Sequence, residues 1–73
     1  MHYNGFQDCE TWNVSLWINN DEDLYFDAYG KVTMIGAREA AKEMMQHLKG
    51  KATPDGAAYT FNRVYTALAE MDV

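Results

Sequence analysis

Ala37, Ala40, Ala41, Met44, Met45 and Leu48 recur at spacings of three and four residues. That interval places side chains on one face of an α-helix. The stretch that carries them is built from Ala, Met, Leu, Glu and Lys, the strongest helix formers. Long β-branched runs are absent, and Pro54 is the only proline. Such a chain can fold with little to interrupt helices, so the expected class is all-α: a small single-domain bundle of three to four helices over residues 1–73. Residues 1–7 read as a flexible lead-in unless Tyr3 and Phe6 fold back on the body.

Caps and stops set four expected helices. The first follows Asp8, an N-cap residue, and covers residues 9–18. The second covers 21–29, with Asp21, Glu22 and Asp23 on the positive end of the helix dipole and Gly30 as a left-handed stop. Residues 31–36, KVTMIG, read as a linker into a third helix over 35–49, closed by Gly50. Thr53 as cap and Pro54 at the first helical position start a fourth over 54–70. Its stripe is Ala57, Phe61, Val64, Tyr65, Leu68 and Met71.

Seventy-three residues lie near the lower limit for folding without staples. Cys9 is the only cysteine, so no internal disulfide forms, and His2 and His47 stand apart from any metal spacing. No cofactor and no metal are expected. Ten aromatic residues supply the bulk for a core instead. The N-terminus has no basic and apolar signal pattern, and no apolar run is long enough for a membrane span. The lone thiol fits a reducing compartment, and a cytoplasmic protein is expected.

Charge is unevenly spread. Residues 1–30 hold six acids and no base, whereas residues 31–73 hold six bases and five acids. An acidic field repels phosphates and attracts basic protein surfaces, so direct nucleic-acid binding is not the expected activity. Arg38, Lys42 and Lys49 share a helix face, but Glu39 and Glu43 interleave, which reads as a solvated, salt-bridged face. Met44 and Met45 read as core plus one exposed methionine. No catalytic motif is present. Acids at a helix start complement the dipole, Cys9 reads as a buried or half-buried thiol, and His47 as a surface residue at a helix C-terminus. A non-enzyme is expected.

Residues 9–30 combine five aromatics with five acids. Trp12 and Trp17 diverge by about 140° around a helix, so both fill one small core only if the helix is central. Otherwise one anchors a partner, since Trp is enriched in binding hot spots. The expected division sets Trp12 and Leu16 inward. Trp17 and Tyr25 then stand with Glu10, Asp21, Glu22 and Asp23 as the partner-binding residues.

The segment CETWNVSLWINNDEDLY resembles the YETWNVxLWxxND segment of small bacteriophage-encoded proteins. Glu10, Thr11, Trp12, Asn13, Val14, Leu16, Trp17, Asn19 or Asn20, and Asp21 match it, while Cys9 stands where Tyr is common. By length and acidity the chain is similar, within that group, to RNA-polymerase-binding transcription regulators of lytic Xanthomonas phages. The resemblance implies a viral protein of the infected host cytoplasm that binds host RNA polymerase at the N-terminal region of the beta-prime subunit. It implies inhibition of sigma-dependent initiation together with antitermination. The alternative is an acidic counter-defence protein that mimics nucleic acid to block a host nuclease.

Overall fold

The structure, a computed structural model, describes residues 8–71. The expected lead-in over residues 1–7 lies outside them. Among the described residues three α-helices form the fold: α1 (Cys9–Asn20), α2 (Glu22–Leu48) and α3 (Phe61–Ala69). An all-α bundle is what the sequence implies, with two revisions to the order of its elements.

Helix α1 starts as expected. The Asp8 carboxylate accepts from the Thr11 amide at 2.7 Å, one of the orphan donors of a first turn. Asp21 then serves two helices. Its own N–H donates to the Trp17 carbonyl and closes α1, and its carboxylate accepts from the Leu24 amide and opens α2. The break between α1 and α2 is thus one residue wide.

The second and third expected helices are one element, bent at a different glycine. Gly30 is not a stop: α2 runs through it. The break is Gly36, at φ 86° and ψ 163°, a conformation essentially reserved for glycine. Drawn straight, 27 residues would extend about 40 Å at 1.5 Å per residue. The described residues measure 32 Å along their longest axis, so the two limbs, 22–35 and 37–48, meet at a corner. KVTMIG is therefore helical up to that corner rather than a linker.

The fourth expected helix begins later than residue 54. Thr53 and Pro54 do not cap it. They form a turn in which the Gly56 amide donates to the Thr53 carbonyl at 2.8 Å. Proline at the second position of a turn and at the first of a helix needs the same φ, so the two signals read alike in sequence. An isolated antiparallel bridge between Ala52 and Ala58 closes the loop. Thr60 is the real cap, accepting from the Arg63 amide at 3.2 Å.

The core joins all three helices and the loop. Val14 and Ile18 come from α1, Ala28, Val32, Ala40, Ala41, Met44 and Leu48 from α2, and Val64, Ala67 and Leu68 from α3. Ala57 and Tyr59 add the loop. Limb 37–48 keeps its expected face, with Met44 buried and Met45 half-buried. Arg38 lies 6.0 Å from the Phe61 ring and pins that limb to the start of α3. Lys42 pairs with Glu39 at 3.4 Å, and His47 is exposed.

The inward stripe of α1 differs from expectation. Thr11, Val14, Ser15 and Ile18 are buried, whereas Trp12 and Leu16 are half-buried at its side. The cause is size. Helices packed 8–10 Å apart have no room for an indole at the line of closest approach. Small Thr11 and Ser15 let the neighbours come near, although neither is apolar. Cys9, expected buried or half-buried, is exposed on the first turn.

Candidate functional site

The six residues named from sequence fall into separate places. Asn13 and Trp17, one helical turn apart, present their polar groups to the loop after α2. The Trp17 indole N–H and the Asn13 amide both donate to Asp55 Oδ2, each at 2.9 Å. The Thr53 hydroxyl donates to Asn13 Oδ1 at 2.5 Å and accepts from the Ala57 amide at 3.1 Å. Asn13 and Thr53 are 6% and 4% exposed, so this network satisfies buried polar atoms that would otherwise be costly. The two bonds, Asn13 first, hold the Asp55 carboxyl below its ordinary range. Trp17, half-buried, thus uses its polar edge to fasten the fold. Glu10 is exposed beside this network, lining a shallow depression with Cys9, Asn13, Asp55, Gly56 and Ala57.

Tyr25 lies on the other side of α1. It lines a cleft with Ser15, Asn19, Tyr29, Ala67, Glu70 and Met71. Ser15 and Asn19 point about 160° away from Asn13 and Trp17 around the helix. Trp17 and Tyr25 therefore do not share a face. Tyr25 packs instead with its own helix neighbours, its ring 5.8 Å from Phe26 and 5.9 Å from Tyr29.

Asp21, Glu22 and Asp23 are exposed together at the start of α2. Asp21 is occupied as a cap, which leaves Glu22 and Asp23 as the outward charges of that turn. Beyond them runs a feature the residue-by-residue reading did not identify. Phe26, Tyr29 and Met34 are 64%, 41% and 83% exposed. With Gly30 and Thr33 they occupy positions i, i+3, i+4, i+7 and i+8, a helix side about 140° wide from Tyr29 to Met34, with Gly30 and Thr33 between the large side chains. Ala28 and Val32 face the core, and Gly30 stands about 180° from their mean direction. The stripe is thus the solvent side of limb 22–35. Glu22 and Asp23 head it, and Asp27 flanks it while pairing with Lys31. Gly30, Lys31, Met34, Ile35 and Glu43 line a depression at its far end.

An apolar stripe rimmed by acids on a rigid helix can bind a surface. Among the described residues no group of three or more His, Cys, Asp or Glu is placed to hold a metal ion. No described helix is long and apolar enough to cross a membrane. The periodicity of Phe26, Gly30 and Met34 was present in the sequence. Reading Gly30 as a stop cut it in half.

No curated protein and no solved structure matches the chain. A model for a family of unknown function (DUF7249) matches residues 1–73, and the chain belongs to that family.

Proposed function

We propose that this protein is a phage-encoded regulator that works by docking, without catalysis, on host RNA polymerase. The reading rests most on one observation: the outward stripe of Phe26, Tyr29 and Met34, headed by Glu22 and Asp23. Large exposed apolar side chains gathered on one side of a helix mark an interaction surface. Acids at the head of the stripe favour a basic partner, accelerating encounter, while the aromatic and Met side chains hold the complex. A polymerase surface that ordinarily meets RNA has that basic character. The N-terminal region of the beta-prime subunit is the proposed seat, with interference in sigma-dependent initiation and antitermination as the consequence. The specific protein comes from the resemblance of residues 9–25. The docking chemistry comes from limb 22–35.

The test is binding of the full chain to purified host core polymerase, followed by real-time interferometry at several salt concentrations. The association rate is expected to fall as salt rises, while dissociation changes less. Glu22→Lys with Asp23→Lys should slow association by about tenfold and leave the chain folded, because neither residue caps a helix. Absence of binding to the core enzyme would refute the assignment. An association rate indifferent to salt and to the double reversal would refute charge steering.

A further inference from the structure

We propose that the cleft between α1, limb 22–35 and α3 is a receptor for an arginine side chain of the protein partner. The inference rests on the docking reading above and adds the chemistry of one contact. The cleft has a volume of about 340 Å³, ample for one long side chain. Among the described residues its lining carries one formal charge, the Glu70 carboxylate, and no Lys, Arg or His. Tyr25 and Tyr29 form one wall, their rings 5.9 Å apart and tilted by 40°. Aromatic faces carry negative potential and attract cations. Asn19 donates its amide N–H to the Ser15 carbonyl at 2.8 Å, which commits its donor and leaves its Oδ1 as an acceptor. Ser15 Oγ, in a residue 8% exposed, also accepts from Asn19 Nδ2, at 3.4 Å, and keeps a second lone pair.

The set therefore contains a carboxylate, an amide oxygen, hydroxyls and two phenol rings. Each of these favours a cation. A guanidinium suits it better than an ammonium: it is planar, stacks on aromatic faces, and spreads five donors over several acceptors. Tyr29 belongs to both the cleft and the exposed stripe. A partner seated on the stripe is thus within reach of placing an arginine in the cleft.

The experiment uses the full chain, isotope-labelled, titrated with Nα-acetyl-arginine methylamide and with its neutral citrulline counterpart, observed by NMR. The arginine compound should shift the ring resonances of Tyr25 and Tyr29 and the side-chain amide of Asn19 saturably, and the citrulline compound about tenfold more weakly. Glu70→Gln sits at the exposed end of α3, so it should leave thermal unfolding in place while weakening the arginine response severalfold. Equal responses to both compounds, or shifts confined to Glu22 and Asp23, would overturn the proposal. So would an arginine response unchanged by Glu70→Gln. This titration needs no polymerase. If the cleft fails it while polymerase still binds, only the cleft assignment falls.

Discussion

Asn13, Trp17 and Asp55 show what single residues contribute. A signature that looks like a binding motif spends two of its polar groups on the loop over residues 53–57. Trp17→Phe keeps an aromatic ring but is smaller and removes the donor, so stability should fall by about 1–2 kcal/mol in thermal unfolding. Asn13→Ala leaves the buried Thr53 O–H without its acceptor, while the Ala57 bond to the same oxygen remains, and should cost about 1–3 kcal/mol. The Asp55 carboxyl, lowered by Asn13 and then Trp17, also sets a pH dependence. Its contribution is fully present above the ordinary value of 3.8 and is lost as pH falls through the lower, folded-state value. Asp8, lowered chiefly by its bond from the Thr11 amide, acts in the same window and direction. NMR titration should place the Asp55 midpoint below 3.8 in the native chain and move it upward in Trp17→Phe. The types Asn and Trp were legible in the sequence, and so was their i, i+4 spacing. Their partner, 38 residues away from Trp17, was not, because no local pattern encodes a side chain meeting a distant loop.

At the scale of elements, the two glycines of α2 carry opposite expectations. Gly30 is helical, and an added Cβ there meets nothing within 4 Å. Gly30→Ala should therefore stabilise the protein by about 0.5–1 kcal/mol. Gly36→Ala forces a Cβ into φ 86° and should destabilise by about 1–3 kcal/mol. Chemical denaturation of the two variants decides where the corner lies; a reversed ranking would return it to Gly30. Composition and periodicity sufficed to read helices over most of the described chain, because good helix formers and caps act locally. They located the bend wrongly because a glycine announces permission to turn, and tertiary packing decides which glycine uses it. Thr53 and Pro54 misled for a related reason, since turn and helix start share proline's fixed φ. Likewise, Thr11 and Ser15 are inward because they are small. A stripe chosen for apolarity selects Trp12 and Leu16 instead.

At the scale of the whole molecule, the described residues divide between a core and large apolar side chains left outside it. The core consumes Val14, Ile18, Ala28, Val32, Met44 and Leu68. Phe26, Tyr29 and Met34 lie outside it, behind Glu22 and Asp23. This division answers why so small a chain concentrates aromatics in its most acidic stretch. Part of that surface fastens loop to helix, part lines a cleft, and part faces outward. The outward face of limb 22–35 is the proposed docking surface. Its most direct test is the double variant Phe26→Ala with Met34→Ala, measured for thermal unfolding and for binding to host core polymerase. Both side chains are exposed, so stability should stay within about 0.5 kcal/mol per substitution of the native value. Binding should weaken by at least about tenfold, as loss of interface anchors requires. A double variant that remains folded and binds polymerase with native affinity would contradict the claim.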